Sequence, residues 1–318
     1  MDDSQRLKRY LAEEMVEEYE QGLMSRRKML KTVGQILGVS VVSPALLELL
    51  GCSSPQTTSE GSGGGTESSE AATVPQSQST EGVTVAPDDP DIEVSEVEVP
   101  GQEGNLLGYQ AQPSAEGPFA AILLIHENRG LTEHIRDVAR RFAKVGYVGL
   151  AVDLLSRVGG TSQFSDVAET TTAIGNLGQE GVLSDVHSGL TWLGEQDYVQ
   201  EGRIGSIGWC WGGGQAWRLA TREPSLRAVV AFYGPNPPLE EVPNIRAAVL
   251  GIYGAEDERI TSQEPDLKAA LTQANVTHEM EIFEGANHAF FNDTGQNFDP
   301  EAAKEAWSYT LDWFEQYL

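Results

Sequence analysis

The chain has 318 residues, enough for one large α/β domain with additional segments. It carries 48 Asp and Glu against 21 Lys and Arg, a net charge of −27. That balance argues against nucleic acid and anionic lipid surfaces as partners, and two cysteines, Cys52 and Cys210, offer no disulfide framework.

Residues 1–52 read as an address. Residues 1–24 are charged, with apolar Leu7, Leu11, Met15 and Tyr19 at helical spacing. The run Ser25-Arg26-Arg27-Lys28-Met29-Leu30-Lys31 resembles a twin-arginine export signal, with Arg26 and Arg27 as its pair. The stretch 33–50 is weakly apolar, interrupted by Gly34, Gln35, Gly38 and Pro44, and short for a stable membrane span. It ends in Leu49-Leu50-Gly51-Cys52, which resembles a lipobox, where the cysteine receives lipid after cleavage of the preceding segment. The two signals in this order imply export of the folded chain by the twin-arginine machinery. They imply tethering through Cys52 on the extracytoplasmic face, at the cell surface or in the periplasm. An uncleaved N-terminal anchor is the alternative.

Residues 53–91 are dominated by Ser, Thr, Gly, Glu, Gln and Pro. Such a composition cannot bury enough apolar surface to order itself and reads as a disordered linker. A globular domain is expected over 92–318.

Within that domain strands and helices alternate. Residues 92–99 alternate apolar and acidic, as in a half-buried strand, and 106–112 could pair with them as a hairpin. The apolar run 120–125 suits a strand covered on both faces, 133–144 a helix, and 147–152 another buried strand. A helix over 184–195, a strand over 203–208 and a helix over 213–222 follow. Strands over 226–232 and 247–253, a helix over 265–274, a strand over 278–283 and a closing helix over 300–317 complete the pattern. This rhythm predicts an α/β fold, a mostly parallel sheet with helices on both faces.

Ligands of such sheets bind beyond the C-terminal strand ends. Gly208-Trp209-Cys210-Trp211-Gly212 is the G-x-nucleophile-x-G pattern of a nucleophile elbow, with sulfur in place of a serine oxygen. The helix starting behind Cys210 favours thiolate over thiol. Asp257 and His288 follow later strands, in the order nucleophile, acid, histidine, which is the chain order of α/β-hydrolase triads and points to an α/β-hydrolase fold. His288 would take the thiol proton and Asp257 would fix the imidazole tautomer, with Glu256 and Glu258 as alternative acids. His126 ends a strand and could line the site. His126 and Glu127 are adjacent without a third metal ligand at a recognisable spacing, and no P-loop or dinucleotide fingerprint stands out. No metal and no cofactor are expected.

The region 92–318 resembles the dienelactone hydrolase family, the carboxymethylenebutenolidases. The resemblance rests on His126-Glu127-Asn128-Arg129-Gly130-Leu131, Val152-Asp153-Leu154-Leu155, Gly208-Trp209-Cys210-Trp211-Gly212-Gly213, Tyr253-Gly254-Ala255-Glu256-Asp257 and Asn287-His288-Ala289-Phe290. It implies a triad of Cys210, Asp257 and His288, with Glu127 holding the resting thiol. It implies an oxyanion hole from the backbone N–H groups of Asn128 and Trp211. Arg129, Trp209, Phe290 and Phe291 are expected, with His126, around the substrate.

No arginine stands in 289–292, and 159–180 contain neither arginine nor lysine. A neutral ester or lactone is therefore expected over an anionic one, with Arg129 and Arg157 either anion binders or surface ion-pair residues. The implied activity is hydrolysis of small esters or lactones through an acyl-enzyme. A thioester or peptide hydrolase, or a non-catalytic ligand-binding protein at the cell surface, is the alternative.

Overall fold

The computed structural model describes residues 3–39 and 84–318. The lipobox-like run, Cys52 and residues 53–83 of the expected linker lie outside the described residues. The last linker residues are not free of the domain. Thr84 and Val85 donate backbone N–H groups to buried Asp137, at 3.1 and 2.8 Å.

The described residues form one eight-stranded sheet in the order β1-β2-β4-β3-β5-β6-β7-β8. The strands are β1 (Ile92–Gly101), β2 (Gly104–Pro113), β3 (Phe119–Ile125), β4 (Val148–Val152), β5 (Val199–Trp209), β6 (Ala228–Phe232), β7 (Ala248–Gly254) and β8 (His278–Phe283). β1 and β2 form an antiparallel hairpin, β2 adds antiparallel to β4, and all remaining neighbours are parallel. β4, β6 and β7 are buried along their whole length, which explains their unbroken apolar runs.

The helices are α1 (Asp3–Glu20), α2 (Arg26–Leu37), α3 (Glu133–Lys144), α4 (Val167–Asn176), α5 (Gln179–Gly194), α6 (Trp211–Arg222), α7 (Glu258–Thr261), α8 (Glu264–Gln273) and α9 (Pro300–Tyr317). The expected elements are present, with α5 starting earlier and β5 longer than their sequence patterns indicated. α4 had no sequence expectation. Its run of Thr171, Thr172 and Gly175 is poor in strong helix formers, yet Asp166 caps it by accepting from Glu169 N–H at 3.1 Å.

The N-terminal segment is part of the packed structure. Leu7, Leu11 and Met15, the periodic residues of α1, are buried, and each such side chain contributes about 1.5–3 kcal/mol when withdrawn from water. α2 is capped by Ser25 and buries Met29, Val33 and Ile36. Leu11 and Ile36 reach α4 together, where a Cβ on Gly175 would touch both, at 3.4 and 3.5 Å. Among the described residues no helix is long and apolar enough to cross a membrane.

Candidate active site

Cys210 sits between β5 and α6 with φ 57° and ψ −124°, a conformation L-residues rarely adopt. Its backbone N–H donates to Phe232 O at 3.0 Å. The turn closes because its flanks lack side chains. A Cβ on Gly208 would lie 2.1 Å from Gly212 O, and one on Gly212 would lie 2.3 Å from Ile125 O. Cys210 is the N-cap of α6, so the positive end of the helix dipole faces it.

Asp257 follows β7 and precedes α7, and His288 follows β8. His288 Nδ1 donates to Asp257 Oδ2 at 2.5 Å, with both residues buried. Glu256 and Glu258 point to solvent and make no such contact. The His288 ring nitrogen, the Cys210 sulfur and a Glu14 carboxylate oxygen all lie within 4.8 Å of one another. The structure thus brings Cys210, Asp257 and His288 into one cluster from three strand ends.

Burial opposes charge on His288, but Glu14 and then Asp257 outweigh it and hold the imidazole well above its ordinary range. Burial likewise opposes ionisation of Asp257, and His288 outweighs it, keeping the carboxylate below its usual value. Burial and then the Glu14 charge push the Cys210 thiol up, against the pull of His288. With α1 in place the cluster therefore favours thiol and imidazolium.

Glu127 is buried and accepts from Asn292 Nδ2 at 2.6 Å through one oxygen, and its other oxygen has no hydrogen-bond partner among the described residues. It is thus bonded to Asn292 rather than to the thiol. Asn128 is buried beside it, its carbonyl accepting from Thr171 Oγ1 at 3.2 Å. Trp211 opens α6, where the first backbone N–H groups have no intrahelical acceptor.

A recess runs from Cys210 and His288 past Glu127 and Asn128 to Arg129. Four residues expected around the substrate stand behind it instead. His126 is fully buried: its Nδ1 is 2.7 Å from Glu127 O and its Nε2 accepts from Leu154 N–H at 3.2 Å, so the ring is a neutral strut. Trp209, Phe290 and Phe291 belong to the aromatic core around Phe232, with Trp209 stacked on Phe291 at 6.0 Å. β5 alternation and the tight turns around Cys210 and His288 direct these rings under the sheet end rather than into the opening. Arg129 does line the recess. Arg157 is a structural ion pair, donating to both Asp185 oxygens at 2.7 Å.

Three residues at the cluster had no place in the sequence expectation. The Tyr10 hydroxyl and the Cys210 sulfur hydrogen-bond at 3.2 Å. Glu14 approaches Cys210 at 3.8 Å and His288 Nε2 at 3.5 Å. Arg259, on α7, bonds Glu14 and lies over the Tyr10 ring, 4.8 Å from its centroid. Helical spacing of apolar residues marked α1 in the sequence, but nothing in it pointed to the cleft. The expectation of a neutral substrate rested on the lack of cations in 289–292 and 159–180; Arg259 comes from neither stretch and is paired with Glu14 at the cluster. The trio of Glu14, Cys210 and His288 has a donor set suited to a metal ion, although the Arg259 guanidinium already neutralises Glu14.

The sequence model of the Dienelactone hydrolase family matches residues 106–318. A protein of Methylorubrum extorquens named as a carboxymethylenebutenolidase is 33% identical over 246 residues, covering 74% of this chain and 84% of its own. A protein of Escherichia coli strain K12 with the same name is 31% identical over 232 residues, covering 69% of this chain and 85% of its own. A solved structure from Klebsiella pneumoniae, titled as a dienelactone hydrolase, superimposes with a TM-score of 0.67 at 32% identity, covering 71% of this chain and 99% of that one. With the elbow at Cys210 and the strand-end positions of Asp257 and His288, these matches establish that the chain belongs to the dienelactone hydrolase family of α/β hydrolases.

Proposed function

We propose that the chain is a cysteine-dependent hydrolase of carboxylic esters or lactones, acting through Cys210, His288 and Asp257. One observation carries the reading: a sulfur on a strained elbow stands within 4.8 Å of an imidazole whose far nitrogen is bonded to a buried carboxylate. The printed names of the curated relatives support the substrate class.

In the proposed reaction the Cys210 proton passes to His288 Nε2 and the sulfur attacks the carbonyl carbon. The carbonyl oxygen becomes an oxyanion, which the N–H groups of Trp211 and Asn128 would stabilise as charge develops. Collapse expels the alkoxide, which takes the proton from His288. Water then attacks the thioester with His288 as base, releasing the acid and regenerating the thiol. Asp257 keeps the Nδ1 proton in place and supports the imidazolium. Glu127, bonded to Asn292, adds negative charge near the thiol and would keep it protonated until substrate arrives.

Export and tethering through Cys52 are part of the proposal. Their support is the pair Arg26-Arg27, exposed at the start of α2, and the lipobox-like run beyond it.

The reading is tested by intact mass measurement after prolonged incubation with p-nitrophenyl acetate. Hydrolysis should be accompanied by one acetyl group mapping to Cys210, absent from Cys210→Ala together with the turnover. Ester turnover that persists in Cys210→Ala would sink it.

A further inference from the structure

α1 covers the opening of the candidate active site with side chains that engage its reacting groups directly. Tyr10 bonds the Cys210 sulfur, and Glu14 faces both Cys210 and His288 Nε2. Those two atoms are the ones that must meet a substrate: the sulfur to attack, the nitrogen to receive a proton. Glu14 and Tyr10 are themselves buried, so this is a seated segment rather than a surface contact.

The seat is complementary in charge. α1 carries Glu14, Glu17 and Glu18 toward the recess, and the domain meets them with Arg259 and Arg129. Arg259 bonds Glu14 and reaches Glu17 at 3.4 Å, and Arg129 reaches Glu18 at 3.4 Å. The apolar side of the same helix is anchored independently through Leu11, Met15 and Val16.

We propose that α1 is a built-in inhibitor of this enzyme, a segment of the chain that occupies the substrate opening and must leave before Cys210 can react. The inference rests on the Cys210–His288 reading above for what is inhibited. Glu14 holds the proton on His288, so the imidazole cannot act as base. Tyr10 fills the approach to the sulfur. No covalent bond links α1 to the site, so release is reversible while the chain is intact. Cleavage before Cys52, as proposed for export, would separate α1 and α2 from the domain. The enzyme would then be latent before processing and competent after it.

The test uses the full chain carrying Cys52→Ser, which leaves Cys210 as its only thiol. Three forms are compared: this chain, the same chain with Tyr10→Ser and Glu14→Ala, and the same chain with a site-specific protease sequence inserted in the run 61–65. Two rates are read, alkylation of Cys210 by iodoacetamide and hydrolysis of p-nitrophenyl acetate. If α1 covers the site, the double variant should alkylate at least about tenfold faster, since apparent reactivity scales with the open fraction. The cleaved chain should react slowly when concentrated and fast when diluted, and a synthetic peptide of residues 3–37 should slow it again. Glu20→Ala, on the exposed end of α1, should behave as the parent. Parent-like alkylation in both the double variant and the diluted cleaved chain would overturn the proposal. Faster alkylation without any ester turnover would support the plug and count against the hydrolase reading instead.

Discussion

The Glu14 carboxylate stands 3.5 Å from His288 Nε2, while Asp257 accepts from Nδ1 of the same ring at 2.5 Å. One imidazole therefore lies between two carboxylates, one supplied by the hydrolase domain and one by the N-terminal helix. The domain carboxylate suits catalysis. The other faces, as an ion-pair neighbour, the nitrogen that the proposed reaction needs free.

The first prediction concerns Asp257. In Asp257→Asn the amide cannot stabilise an imidazolium and can donate to Nδ1, favouring the wrong tautomer. Ester hydrolysis by the α1-released enzyme should fall by about a thousandfold or more, with KM little changed. A loss of only a few-fold would mean that another carboxylate supports His288.

The seating of α1 should depend on pH in a definite direction. His288 is held above its ordinary value, so its stabilising contribution is complete below about 6.5 and is lost as pH rises through the raised value. Burial pushes Glu18 up to about 7 despite Arg129. Its contribution is complete in acid and is lost as pH rises from the ordinary carboxylate range through that value. Glu14, held low by His288 and Arg259 against burial, loses its contribution only in acid. Tyr10, Asp257, Arg259, Cys210 and Glu17 also face this cluster. Of these, Asp257 is held low, Tyr10 and Cys210 are held high by burial, and Arg259 stays charged. Hydrogen exchange of α1 amides, corrected for its intrinsic pH dependence, should show protection declining from mildly acidic to alkaline solution. Glu18→Gln should remove the part of that decline near pH 7. Protection that grows toward alkaline pH would contradict the assignment.

Asn292 is the one partner of the buried Glu127 carboxylate among the described hydrogen bonds. Asn292→Ala should leave Glu127 with neither oxygen paired and cost about 1–3 kcal/mol in thermal or denaturant unfolding. Asn292→Asp should cost at least as much near neutral pH, because it sets a second carboxylate against the first. Unchanged stability in both variants would show that water or another group already serves Glu127.

Gly208→Ala places a methyl 2.1 Å from Gly212 O, and backbone on both sides leaves it no room to move. Loss on the order of 4 kcal/mol or more is expected, read as insoluble or unfolded protein. The same substitution at Gly202, where nothing lies within 4 Å although φ is +69°, should cost only backbone strain and leave soluble enzyme. Soluble, active Gly208→Ala would mean that the elbow is looser than its geometry implies.

Much of the hydrolase domain was legible because its signals are local. Unbroken apolar runs marked β3 and β7, and the glycines around Cys210 marked the turn that holds it. Asp257 and His288 could be placed at strand ends because loops after parallel strands converge there. The side chains around the recess were less legible. Trp209, Phe290 and Phe291 adjoin the reacting residues in sequence, but neighbouring residues in tight turns point to opposite sides, and these three point into the core. α1 was hardest. Its periodicity announced an apolar face, while the surface that face would cover is assembled from distant parts of the chain. No local pattern encodes the meeting of Glu14 with Arg259.

That meeting also orders events during synthesis. Tyr10 and Cys210 are 200 positions apart, and Glu14 and Arg259 are 245 apart. The helix leaves the ribosome first, yet its seat does not exist until β7, α7 and the His288 loop have formed. Closing so long a loop must come late, after the local contacts of the sheet. Each new molecule would therefore pass through an open interval, folded but not yet sealed, and the length of that interval would set how much activity escapes before the helix docks.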